Sequence, residues 1–74
     1  MEQKVLGIIN NIRAAKGMAP VAELHTEDKL RNDLGLTSFD LAELTVKIED
    51  EFDIDIFEDG LVETVGEVID KLSE

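Results

Sequence analysis

Apolar residues recur at helical spacing in three separate stretches of the chain. Val5, Ile8, Ile9 and Ile12 stand at i, i+3, i+4 and i+7, which puts them on one stripe of a helix from about Glu2 to Lys16. Gly7 falls on the far side, where it disturbs no packing. Gly17-Met18-Ala19-Pro20 reads as the stop: a glycine suited to a left-handed cap, then a proline. Residues 21–36 form a long connection punctuated by Val21, Leu24, Leu30, Leu34 and Leu36, so it is expected to lie over the core. A single helical turn could start at Thr26-Glu27-Asp28-Lys29. So long a connection in so small a chain tends to be functional.

The second helix runs from Thr37 to Phe52. Either Thr37 or Ser38 can cap it, and Asp40 in the first turn suits the positive end of the helix dipole. Asp53-Ile54-Asp55-Ile56-Phe57 alternates as a strand would, but with no partner strand it reads as an extended loop burying Ile54 or Ile56. A short third helix is expected over about Glu58 to Val62. Thr64-Val65-Gly66-Glu67 is a capping-box pattern opening a last helix with Val65, Val68, Ile69 and Leu72 on one face. The whole predicts an all-α four-helix bundle spanning 1–74 as a single domain, with three longer helices, one short one and a long loop between helices one and two.

The second helix carries two apolar stripes where an edge helix needs one. Leu41, Leu44, Ile48 and Phe52 form the core face. Phe39, Ala42 and Val46 cluster on roughly the opposite side, with Glu43 and Asp50 beside them and Glu49 on the other edge. An exposed apolar strip rimmed by acids suits a basic partner surface with a hydrophobic centre. Alternatively, Phe39 tucks against Leu36 or the loop, and Ala42 and Val46 are merely exposed. Periodicity alone leaves both open.

Composition narrows the functional classes. The 74 residues hold 18 acidic and 7 basic side chains, a net charge of -11. That field repels phosphate backbones and favours basic partners, so nucleic acid is not an expected ligand. Cysteine is absent, so any thiol chemistry must use an imported sulfur. No apolar run approaches a membrane span, membrane insertion is not expected, and the start lacks the shape of a secretory signal. The expected compartment is the cytoplasm. Asp53, Asp55, Glu58, Asp59 and Gly60 form an acidic knot, yet a calcium-loop register from Asp53 puts Phe57 at the third ligand position. No specific metal site is predicted; weak divalent binding there and at Glu49-Asp50-Glu51 would relieve charge repulsion.

Ser38 stands at the junction of the long loop and the second helix. Unpaired backbone N–H groups at a helix start favour a nearby anion, so a phosphodiester on this serine would be well placed. A serine there is more often just a cap. Direct catalysis by Ser38 has little support: the single histidine, His25, reads as a solvent-exposed loop residue, and there is no nucleophile elbow. So small a bundle offers no cleft for paired carboxylates to act in, and the chain is not expected to be an enzyme.

Asp33-Leu34-Gly35-Leu36-Thr37-Ser38-Phe39-Asp40-Leu41, followed by Glu43-Leu44 and by Ile48-Glu49-Asp50-Glu51-Phe52-Asp53-Ile54, resembles the acyl carrier proteins. Their motif is Asp-Leu-Gly-x-Asp-Ser-Leu-Asp, with a helix ending in Glu-Glu-Glu-Phe, and the resemblance covers nearly the whole chain. It implies that Ser38 receives 4′-phosphopantetheine from coenzyme A through a separate, magnesium-using phosphopantetheinyl transferase. The arm's thiol then carries acyl groups as thioesters to acyl-loading, transferring or elongating enzymes with basic docking patches. The resemblance further implies that Asp40, Glu43, Glu49 and Asp50 are acidic contacts and Phe39, Ala42 and Val46 apolar contacts for those enzymes. It implies a free-standing monomer, serving fatty-acid, lipid or polyketide-type synthesis. The space among Leu44, Ile48, Val65 and Ile69 is the expected shelter for the acyl chain.

Two departures bear on this. Thr37 and Phe39 replace the usual Asp and Leu around the serine, and the stretch between Ile56 and Thr64 is short, with Phe57 where proline is common. Both suggest a specialised carrier. The D-alanyl carriers also have Ser-Phe at this site, so an aminoacyl cargo is an alternative. An unmodified acidic adaptor using the same helix is another.

Overall fold

The computed structural model describes residues 2–58 and 60–73. Among these described residues three helices follow in order, α1 (Glu2–Ala15), α2 (Ser38–Phe52) and α3 (Val65–Ser73). The all-α class is as the periodicity predicts. α1 buries Val5, Ile9 and Ile12 on one stripe, and Ile8 packs half-buried beside them. It ends where the glycine demands. Gly17 takes φ 78°, the Met18 N–H reaches the Arg13 carbonyl at 3.0 Å, and the Gly17 N–H reaches Ala14 at 3.0 Å. This is a Schellman stop.

The 21–36 connection is part of the core. Leu30, Leu34 and Leu36 are buried, and Val21 and Leu24 pack partly buried against them. Burying these side chains offsets part of the entropy of ordering a loop this long. Polar ties fix its two ends. The Asn10 side chain donates to the Val21 carbonyl at 3.0 Å and accepts the Val21 N–H at 2.7 Å. Farther on, the loop lies along the approach to α3: the Leu30 N–H meets the Glu63 carbonyl at 2.8 Å, and Val65 N–H meets Asp28 at 2.9 Å. Lys29 and Thr64 form an isolated antiparallel bridge. The turn anticipated at 26–29 is a tight one, with Asp28 N–H on the His25 carbonyl at 3.0 Å. A longer set of turns over 30–34 was not anticipated.

α3 opens with the expected capping box. Glu67 Oε1 accepts the Thr64 N–H at 3.1 Å, and Thr64 Oγ1 accepts the Glu67 N–H at 3.2 Å. Its inward face is Val65, Val68 and Leu72. The short helix expected over 58–62 is not formed among the described residues; Asp59 lies outside them. Asp55 opens a single turn, its carboxylate taking the Phe57 N–H at 2.9 Å and its carbonyl the Glu58 N–H at 3.2 Å. Gly60, at φ 133°, lies far from helical geometry, so the turn does not extend into a helix. Ile56 and Val62 are both buried, so the turn still pins the segment to the core, while Ile54 is only half-buried. Among the described residues no helix is long and apolar enough to cross a membrane.

Gly35 links the loop to α2 at φ 74°, and a Cβ there would stand 2.7 Å from Met18 Cε. A left-handed conformation costs a non-glycine residue about 1–2 kcal/mol, only partly offset by a stiffer unfolded chain. Gly35→Ala is therefore expected to lower the thermal midpoint by about 4–8 °C, as roughly 1 kcal/mol does in a domain of this size. A midpoint unchanged in a calorimetric scan would count against it.

Candidate functional site

Thr37 precedes α2 with an extended backbone, φ -90° and ψ 175°. Its Oγ1 accepts the Asp40 N–H at 3.2 Å, and Asp40 Oδ2 accepts the Thr37 N–H at 2.9 Å. The two residues satisfy each other's orphan donors in a reciprocal cap. Thr37, and not Ser38, is thus the cap residue, which decides what the sequence left open.

The cap is held from outside α2. Lys16, just past the end of α1, donates to Asp40 Oδ2 at 2.5 Å and to the Gly35 carbonyl at 2.6 Å. Beside it, Arg13 donates to the Ala19 carbonyl from Nε at 3.1 Å and from Nη2 at 3.0 Å, and its Nη1 donates to the Leu34 carbonyl. The end of α1 therefore clasps both the loop and the first turn of α2. Sequence reasoning missed Lys16 and Arg13; the available signal was a cation pair at a helix C-terminus, where the exposed carbonyls attract one.

Ser38 occupies the first helical position and is exposed. Among the described residues, no group hydrogen-bonds its hydroxyl, and the amides of Ser38 and Phe39 have no acceptor. A hydroxyl open to solvent beside unpaired N–H donors fits a phosphodiester formed on that oxygen. His25 is remote from any such role: its Nε2 lies 3.4 Å from Glu23 Oε1, and its N–H goes to Asp28.

The predicted contact residues divide. Phe39 is 78 % exposed and Val46 68 %, and Ala42 is exposed between them, so Phe39 does not tuck against the loop. Glu49 and Asp50 are exposed, and Glu43 lies half-buried 3.9 Å from Lys47 one turn on. Asp40 must be removed from the contact set. It is only 5 % exposed, and its carboxylate is taken by Lys16 and the Thr37 N–H, so it is an internal clasp. The hydrogen bond from Lys16, then that from the Thr37 backbone, hold its pKa below the usual carboxylate value of 3.8 against the opposing effect of burial.

The residues of the expected acyl shelter pack against one another, with Ile69 partly buried. Leu44, Ile48 and Val65 are fully buried in close contact with the rest of the core. A groove of about 360 Å³ opens elsewhere, bounded by Leu41 of α2, by Lys29, Arg31 and Asn32 of the loop, and by Phe57, Leu61, Val62 and Glu63. Among the described residues no cluster of three or more metal-ligating side chains occurs.

Residues 5–72 match a family described as a phosphopantetheine attachment site. The chain is similar to an acyl carrier protein of Amoebophilus asiaticus (strain 5a2), at 42 % identity over all of this chain and 90 % of that protein. It is also similar to acyl carrier protein 3 of Ralstonia nicotianae (strain ATCC BAA-1114 / GMI1000), at 37 % identity over 88 % of this chain and 77 % of that protein.

The clasp makes a pH-dependent contribution. Because the folded pKa of Asp40 lies below its unfolded value, the stability it adds is full above that unfolded value and is lost as pH falls through the folded one. Asp40→Asn is expected to cost about 1–2 kcal/mol at neutral pH, through a lost charge-assisted bond and a weaker cap. The difference from wild type should shrink steadily below about pH 4, where Asp40 begins to protonate in the unfolded chain. Thermal midpoints of both proteins across acid pH measure this; a constant gap would contradict it.

Proposed function

The chain belongs to the phosphopantetheine-attachment family of acyl carrier proteins, and from that premise we propose that Ser38 is the residue that bears the arm. The observation that carries this reading is the division of labour at the start of α2. Thr37 and Asp40 complete the cap between themselves, and the Ser38 oxygen stays exposed and uncommitted. Esterifying it takes nothing from the helix. The attached arm supplies a thiol for thioester chemistry, which a chain without cysteine lacks. The protein's own part is presentation: a rigid first turn, two unpaired amides at the phosphate end, and a surface by which partner enzymes find the site.

That surface is the outward stripe of α2. Phe39, Ala42 and Val46 offer an apolar centre, and Glu43, Glu49 and Asp50 supply charge for Arg and Lys on a phosphopantetheinyl transferase and on acyl-loading and acyl-transferring enzymes. Thr37 keeps the capping oxygen that an Asp would supply but brings no charge, and Phe39 enlarges the apolar contact next to the site. These two departures support a carrier dedicated to one fatty-acid, lipid or polyketide-type route, acting as a single domain.

Two experiments follow. Incubation with coenzyme A, magnesium and a broad-specificity transferase should add one phosphopantetheine by intact mass to the wild type and none to Ser38→Ala. Addition to the Ser38→Ala protein, or none to the wild type, would refute the assignment. Phe39→Ala and charge reversal at Asp50 should slow arm transfer about tenfold, the hot-spot scale of 1–2 kcal/mol, with the thermal midpoint nearly unchanged because both side chains are exposed. The Asp50 effect should fade with added salt and the Phe39 effect should persist. The same salt dependence for both would remove the charge from the docking argument.

A further inference from the structure

The allocation of cations over this acidic chain is uneven in a way that marks one groove. Of the seven basic side chains, Lys4 pairs with Glu51, Lys16 with Asp40 and Lys47 with Glu43. Arg13 is bound to loop carbonyls, and Lys71 has a partner as well. Lys29 and Arg31 remain, with neither ion pair nor side-chain hydrogen bond among the described residues. Both line the same groove.

The chain carries 18 acidic side chains, yet none among the described residues forms an ion pair with either cation. Neighbouring acids are turned to other work: Asp33 accepts the Lys29 backbone N–H at 2.7 Å, and Asp28 accepts the His25 N–H at 3.0 Å. Among the described residues of the lining Glu63 is the one carboxylate, set against the two cations. The rest of the lining is Asn32 and an apolar set, Leu41, Phe57, Leu61 and Val62. Leu61 is 89 % exposed and Phe57 half-buried, so this apolar floor is open to a ligand.

The groove also lies within reach of the attachment residue. Leu41 follows Ser38 by three positions, which places it on the same side of α2 about 4.5 Å farther along at about 1.5 Å per residue. We propose that this groove receives the cargo, and that the cargo class is an acyl chain ending in a carboxylate. Its methylenes lie on the Leu41, Phe57, Leu61 and Val62 floor, and its distal carboxylate meets Lys29 and Arg31, with Asn32 as a further donor. The proposal rests on Ser38 carrying the arm and names the cargo class for that same site.

The test compares adipyl and hexanoyl cargo, equal in length and different at the far end. Each is loaded on wild-type protein and on the double variant Lys29→Gln/Arg31→Gln. Adding a negative charge to a chain of net charge -11 should by itself lower stability. The proposal gives the opposite sign: the adipyl form of the wild type melts about 4 °C above the hexanoyl form, the effect of roughly one modest ion pair in a small domain. That margin shrinks with salt and disappears in the double variant, and the Lys29 amide and Arg31 Nε NMR signals shift with adipyl only. Equal midpoints in the wild type, or a margin that survives the double substitution, would overturn the proposal. Shifts already complete in the free-thiol form would assign the cations to the arm's phosphate and overturn it too. Because arm transfer is followed separately by intact mass, a chain that gains no arm refutes the carrier site itself, whereas an armed chain with no cargo preference refutes only this inference.

Discussion

The reciprocal cap between Thr37 and Asp40, fastened by Lys16, is the contact on which the site depends. A helix start has orphan N–H groups, and the nearest hydroxyl or carboxylate tends to take them. Had Ser38 been that cap, its oxygen would be turned inward, and any group attached to it would strip the helix of a bond contributing about 1 kcal/mol. Moving the cap one residue back separates structure from chemistry. The helix keeps its first turn whether Ser38 is free or esterified, and the serine is held on a rigid element. Lys16 and the carbonyl of Gly35 tie that turn to α1, so one clasp joins the loop, both helices and the turn that holds Ser38.

A chain of 74 residues has little apolar surface to spare, and α2 nonetheless leaves Phe39 and Val46 outside. Turned inward, each could contribute about 1.5–3 kcal/mol. The core is completed instead by the long connection, whose Leu30, Leu34 and Leu36 bury against α1 and α2. The irregular loop thus does the packing that a second face of α2 would otherwise do, and it leaves that face exposed. This is the physical link between an oversized loop and a helix with two apolar stripes.

Much of this was legible in the residues. The three helices, the glycine stop of α1, the loop leucines and the capping box of α3 all follow from local pattern, because each depends on neighbours within about one helical turn. The failures share a different cause. Whether Thr37 or Ser38 caps α2 depends on where Asp40 is held, and its second partner, Lys16, is 24 positions away. The same distant lysine turns Asp40 from a surface acid into a buried one. The missing helix at 58–62 was decided by the backbone at Gly60, whose φ of 133° ends the turn that Asp55 opens. Periodicity also identified Leu44, Ile48 and Val65 as inward-facing, but it measures direction and not volume. Those side chains fill the space they face, and the open groove lies between segments that carry no regular period.

Net charge alone would describe this protein as a uniform negative body, and the ion pairs argue otherwise. Glu51 and Glu43 are met by Lys4 and Lys47, and Asp40 by Lys16, so those acids are partly cancelled at short range. Glu49 and Asp50 have no cation partner among the described residues. Beyond a screening length of about 8–10 Å a partner senses little of the total charge and mostly the groups before it. The end of α2 nearest Glu49 and Asp50 is therefore the strongly anionic approach, and the groove by Lys29 and Arg31 is a local exception to it. A basic surface would be drawn to the first and not to the second.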